Sequence, residues 1–240
     1  MVITKRYRSL LCLLLLPLLA LAAPHGARVA AVQNTVTPRY IALTFDDGPH
    51  GETTEALLDG LRERGAHATF FLIGEQIEDT EDLVIRMRDE GHQIGNHTYS
   101  HVRLDQNSQR GLQEIAKTDS LLQQVIGPND YWIRPPWGFV SNTVKQSVGQ
   151  PLIYWSLDTQ DWSVRNADIV AQDIIQNAQN GDIVLLHDSY AESVDAALRA
   201  IDALSAQGYQ FVTVEELFRV MGVTPEAGRF YVRPDAEVSW

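Results

Sequence analysis

Six times along this chain a helical pattern stops at a glycine, at positions 65, 91, 127, 149, 181 and 208, and a strand-like run follows within a few residues. Glycine just past a helix takes the left-handed backbone that closes the last turn at no side-chain cost. The runs that follow, such as ATFFLI (68–73) and DIVLL (182–186), are nearly all apolar and do not alternate with polar residues. Such strands belong to a parallel sheet covered on both faces. Together with YIALTF (40–45) they make about seven βα units, the pattern of a doubly wound sheet or of a barrel. Helices are expected over 53–64, 81–90, 108–126, 168–180 and 193–207. A last one is announced by the capping box of Thr213 and Glu216. The end of the chain, from residue 226, carries no readable pattern.

The N-terminus stands apart. Lys5, Arg6 and Arg8 precede an apolar run, Leu10 to Ala23, that Pro17 interrupts and that ends in small residues. The run is shorter than the roughly 20 residues a spanning helix needs, so residues 1–23 read as a secretory signal peptide and 24–38 as a linker. An uncleaved signal would act as a membrane anchor; after cleavage no integral membrane domain is expected. The only cysteine, Cys12, lies in that leader, which leaves the mature chain no disulfide, thiolate nucleophile or cysteine metal site. Loss of three basic residues takes the net charge from −12 to −15. A chain this acidic repels phosphates, so nucleic acid is excluded as a partner.

Polar, ionisable residues stand where the strands end. The first strand stops on Asp46-Asp47-Gly48-Pro49, the third runs into Asn96-His97-Thr98-Tyr99-Ser100-His101, and Arg134 precedes Pro135-Pro136-Trp137. Another leads to Asp158-Thr159-Gln160-Asp161-Trp162, and DIVLL ends on His187-Asp188. The C-terminal ends of parallel strands are where α/β folds build active sites. His97 and His101 lie four apart, and one helical turn would put both rings on one face, as two ligands of one metal ion completed by a carboxylate. Two adjacent carboxylates repel unless they divide their labour. A divalent ion takes one as ligand and leaves the other as a base for water; spacing does not say which is which. Asp161 could bond His187 and hold it protonated. Arg134 needs a carboxylate if buried, either Asp46 or Asp161. Trp137 and Trp162 are core filling or a platform for a sugar ring. No Gly-x-Gly-x-x-Gly cradle, Walker loop or Gly-x-Ser-x-Gly elbow is present. Histidines 25, 50, 67 and 92 suggest no chemistry.

With these residues in place the sequence resembles the polysaccharide deacetylases, the NodB-homology carbohydrate esterases. Five motifs occur in that family's order: TFDDGP (44–49), HTYSH (97–101), RPPWG (134–138), DTQDW (158–162) and LLHD (185–188). The resemblance spans roughly residues 39–222 and leaves 223–240 as a C-terminal tail. It implies a distorted (β/α)7 barrel in a single domain. It also implies Asp46 as general base, Asp47, His97 and His101 as ligands of a divalent metal, and Arg134 holding the base. Asp161 would tune His187, the general acid, while Leu185 and Trp162 line a pocket for the acetyl methyl and Trp137 helps form the sugar site. The usual metal is zinc, with cobalt or another divalent ion as substitute. Trp137 stands where the family most often has tyrosine, a change that alters the wall of the sugar site. The implied activity is removal of acetyl groups from N-acetylated sugars of an exported polysaccharide or oligosaccharide, peptidoglycan or chitin-like, by a monomer in the periplasm or outside the cell. The rivals are an O-acetyl esterase on acetylated xylan and a catalytically silent sugar-binding homologue.

Overall fold

The structure is a computed structural model that describes residues 38–238. The signal peptide and all but the last residue of the linker read from the sequence lie outside the described residues. Strand β1 (Arg39–Asp46) is central. On one side it pairs along most of its length with β6 (Asp182–His187). On the other, its first residues pair with β7 (Tyr209–Phe211) and its last with β2 (Thr69–Leu72). Strand β3 (Gln93–Asn96) follows β2, and β5 (Leu157–Asp158) follows β6. All these pairings are parallel, as the apolar runs predict.

The wall continues past β3 through single bridges at Ile133 to β4 (Leu152–Ile153), then to β8 (Phe230–Arg233). The chain between β4 and β5 changes partner as it goes: the Tyr154 N–H donates to Tyr231 O and the Ser156 N–H to Ile183 O. That segment links the two sheets and makes a distorted barrel of a single domain. The unpatterned end of the sequence supplies β8 and β9 (Ala236–Glu237), which pair antiparallel. The Arg233 guanidinium ties them to Asp182 at the start of β6, 2.9 Å away.

Helices α1 (Gly51–Arg64), α3 (Glu81–Asp89), α4 (Ser108–Ile126), α5 (Asn142–Ser147), α7 (Ala167–Asn177), α8 (Ala191–Ser205) and α9 (Val214–Val220) connect the strands, with the single turns α2 (Gly74–Ile77) and α6 (Asp161–Val164). Gly65 closes α1 at φ +59. Asn107, Asn166 and Ser141 cap the starts of α4, α7 and α5, and Thr213 and Glu216 form the expected capping box on α9.

Strand period sets the site. Successive side chains leave a strand on opposite faces. In β1, Ile41, Leu43 and Phe45 join the large apolar cluster beneath the helices, as do Val184 and Leu186 of β6. Ala42 and Ile183 join the smaller cluster inside the barrel with Phe71, Ile153 and Phe218. The residues on that inner face continue upward as Thr44 and Asp46 in β1, and as Leu185 and His187 in β6. Asp46 and His187 are register partners. The barrel is therefore apolar at its base and carries a carboxylate beside an imidazole at its C-terminal rim.

Candidate active site

Arg134 is fully buried inside the barrel. Its Nη1 donates to Asp46 Oδ1 at 2.8 Å and to Thr44 Oγ1 at 2.6 Å, its Nη2 to Tyr154 O at 2.8 Å, and its Nε to Ile153 O at 3.3 Å. The guanidinium also lies 4.2 Å from the Phe71 ring centre. A buried guanidinium is tolerable only with its donors engaged, and of the two carboxylates considered it takes Asp46. The other Asp46 oxygen, Oδ2, is left facing His97 Nε2 at 3.7 Å.

Beside it the Asp47, His97 and His101 side chains converge. Asp47 Oδ1 lies 3.5 Å from His97 Nε2 and 3.4 Å from His101 Nε2. That oxygen is buried and has no hydrogen-bond partner. His97 Nδ1 sits 2.7 Å from Arg134 O, a carbonyl that can only accept, so Nδ1 carries a proton and Nε2 is the ring nitrogen turned toward Asp47. Burial and the neighbouring His97 push His101 down to about 4, so its ring is held in the neutral form. Two imidazole nitrogens and an unpartnered carboxylate oxygen face one another. This donor set fits a divalent cation.

The histidine pair is not on a helix, contrary to the expectation from its spacing. Residues 97–103 form an irregular loop, with Thr98 at φ +66 and His101 at φ +52. Two left-handed residues fold the loop back so that the rings stand 5.0 Å apart. Asp47, Trp137, Gln160 and Arg165 are the other non-glycine residues with left-handed backbone among those described. All six lie in the segments that follow strands or flank short helical turns, where local strain is held by surrounding contacts.

On the far side of the groove, His187 Nδ1 donates to Asp161 Oδ1 at 2.8 Å, and the His187 backbone N–H donates to the other Asp161 oxygen. Burial would lower the His187 pKa, but the Asp161 hydrogen bond and charge, with the charges of Asp46 and Asp47, raise it to about 9. Burial would likewise raise Asp161, yet the bond and charge of His187 hold it below its ordinary value. His187 Nε2 points across to Asp47 Oδ2 at 4.0 Å.

These residues line a groove of about 480 Å³ with Leu185, Asp158 and the aromatic rings of Trp137, Phe139, Trp155, Trp162 and Tyr190. Trp137 is 55% exposed and Trp162 56%, so neither is core filling. Trp137 packs against the His101 ring at a tilt of 52°, 4.1 Å between centres.

A polysaccharide deacetylase family model matches residues 33–151. A peptidoglycan-N-acetylglucosamine deacetylase of Bacillus cereus is 38% identical over 187 residues, 75% of this chain and 68% of that protein. The chain belongs to the polysaccharide deacetylase family. PgdA of Listeria monocytogenes, a peptidoglycan-N-acetylglucosamine deacetylase, is 38% identical over 196 residues, 81% of this chain but 42% of its own length. The chain thus spans less than half of that curated relative. A family 4 acetyl xylan esterase of Clostridium thermocellum, solved with a cobalt ion, superposes with a TM-score of 0.78 at 32% identity, covering 82% of this chain and all of that one.

The predicted site residues therefore meet around one groove, with Arg134 and Asp161 buried behind its wall. Sequence reasoning missed Phe139, Trp155 and Tyr190 as lining, and it missed Asp188. Asp188 is fully buried behind the Asp47 loop, and burial and the Asp47 charge push its carboxyl up to about 7 against the opposing Thr54 hydrogen bond. Its only sequence signal is its place after His187.

Proposed function

We propose that this chain is a metal-dependent N-deacetylase acting on N-acetylglucosamine units of an extracytoplasmic polysaccharide, with peptidoglycan ahead of chitin-like chains. The observation that carries the reading is the unpartnered Asp47 oxygen facing two imidazole nitrogens, with a carboxylate–arginine pair on one side and a carboxylate–imidazolium pair on the other. Asp47, His97 and His101 hold the ion, zinc by the nitrogen-rich donor set, with cobalt an acceptable substitute. When bound, such an ion polarises the acetyl carbonyl and makes water more acidic.

The chain's own residues do the rest. Asp46 accepts the proton of the attacking water at Oδ2, while Arg134 fixes its other oxygen. His187, protonated on both nitrogens, donates from Nε2 to the sugar nitrogen as the C–N bond breaks. Without that proton the nitrogen would leave as an amide anion. Asp161 orients the ring and stabilises its charge. Leu185 and Trp162 bound the space for the acetyl methyl, and Trp137 offers a face to the sugar ring. Peptidoglycan ranks first because the Bacillus cereus and Listeria monocytogenes relatives carry that activity in their names. Residues 1–23 export the chain, which works as a monomer.

Acetate release from peptidoglycan, chitin oligomers and acetylated xylan, with Zn2+ or Co2+ supplied, tests the reading. Release is expected from N-acetylated chains and is abolished by a chelator. Release from acetylxylan alone would replace the reading with an O-acetyl esterase, and release from none would overturn it.

A further inference from the structure

One buried acid has no part in the chemistry above. Asp188 follows His187 out of β6, and none of it is exposed. One of its carboxylate oxygens, Oδ2, accepts a short hydrogen bond from Thr54 Oγ1 on α1, and the other has no partner. The same Thr54 hydroxyl accepts from the His50 backbone N–H at 2.7 Å. The Thr53 hydroxyl donates to His50 O at 2.8 Å, and the Ile73 N–H donates to Gly48 O at 3.1 Å. Gly48 itself lies against the acid: a Cβ there would meet the two Asp188 oxygens at 2.5 and 2.6 Å. The turn that follows Asp47 is therefore gripped at Gly48 and at both backbone groups of His50.

Asp47 needs such a grip. Its backbone sits at φ +74, a conformation that a non-glycine residue keeps only when its surroundings over-determine it. The left-handed turn is what aims its side chain at His97 and His101. Thr54 is also fully buried, so no water replaces its hydroxyl if it is lost.

We propose that Asp188 is a positioning residue for Asp47: through Thr54 it anchors the 48–50 turn and so holds the Asp47 carboxylate where it can share a cation with His97 and His101. This rests on the reading of Asp47 as a metal ligand. Outer residues that orient ligands typically change metal affinity by about 10- to 100-fold when removed.

The test is Co2+ binding by the full chain, stripped of metal and titrated with Co2+ alone, with melting temperatures in parallel. Thr54→Val keeps the shape and removes the hydroxyl; it should weaken Co2+ binding at least about tenfold, as should Asp188→Ala. Thr54→Ser and Asp188→Asn, which keep the hydroxyl–oxygen bond, should bind within about threefold of the parent. A lower melting temperature with unchanged affinity in Thr54→Val would overturn the proposal and leave Asp188 merely structural. If Asp188→Ala does not fold, Thr54→Val still decides. Asp47→Ala separates the two claims. Lost affinity there with parental affinity in Thr54→Val defeats the positioning role alone, whereas unchanged affinity in Asp47→Ala defeats the ligand reading beneath it.

Discussion

Two histidines at opposite ends of the barrel, His92 buried and His187 largely so, have been driven in opposite directions. At the C-terminal rim His187 is raised to about 9; at the other end His92, just before β3, is lowered to about 4. Burial pushes both downward, so burial is not what distinguishes them. The difference lies in what each Nδ1 meets. The His187 Nδ1 faces a carboxylate at 2.8 Å, which rewards a proton there. The His92 Nδ1 accepts the Ala68 N–H at 3.2 Å, so a second proton would confront a donor. The nearest carboxylate to His92, Glu90, is 4.0 Å from Nε2 and already engaged by Arg86 at 2.7 Å. Histidine chemistry here is decided by one hydrogen-bond partner, more than by depth.

The sharpest way to break that contrast is to remove each ring. His187→Gln should cut turnover by about 10²- to 10⁴-fold, the range for a lost general acid. His92→Gln should leave turnover within about threefold, because nothing places His92 near the groove. Acetate-release kinetics on N-acetylated oligomers checks both, and comparable losses in the two variants would end the comparison. Asp46→Asn belongs with the large effects: it should lose activity on the same scale while Co2+ binding persists, since Asp46 Oδ1 is committed to Arg134.

A smaller effect tests the cause of the shift. A proton donor must be protonated, so activity falls as pH rises through the His187 pKa. Asp161→Asn removes the charge that holds that proton, and the basic limb of the pH–rate profile should move down by roughly two pH units. A cation on Asp47 cancels one of the charges that raise His187, so the metal-loaded enzyme titrates below 9. The direction of the Asp161→Asn change is unaffected. A limb that stays in place would mean another group sets it.

Much of this was readable in the chain. The helix–glycine–strand alternation gave the α/β class, and Thr213 and Glu216 cap the helix they were expected to cap. The ionisable residues at strand ends meet at one rim because strand period and parallel register are local rules with global consequences. What failed was geometry set by irregular backbone. The His97–His101 spacing suggested a helix, but left-handed turns at Thr98 and His101 have no signature in residue type. Phe139, Trp155 and Tyr190 reach the groove along loops, where no periodicity assigns a face. Strand β8 pairs with β4, nearly eighty residues earlier in the chain, and a short strand of mixed composition cannot announce a partner so distant. Asp188 was hidden by His187 beside it.

The smallest effect is at His92, and it concerns stability alone. In the unfolded chain a histidine titrates near 6.5; in the fold His92 takes its proton only near 4, because burial and the His67 and Arg86 charges outweigh the attraction of Glu90. Between those values the unfolded state binds more protons, so stability falls as pH drops below 6.5 and the loss is complete near 4. At pH 5 the penalty is about 2 kcal/mol. His92→Gln cannot take up that proton. Its unfolding free energy, followed by urea denaturation at pH 7 and pH 5, should therefore fall less than that of the parent, by about that amount. The substitution itself costs some stability at both values through the Ala68 contact, so the difference between the two pH values carries the result. An equal pH dependence in variant and parent would mean that His92 is protonated in the fold, and that its Ala68 hydrogen bond has been assigned to the wrong ring nitrogen.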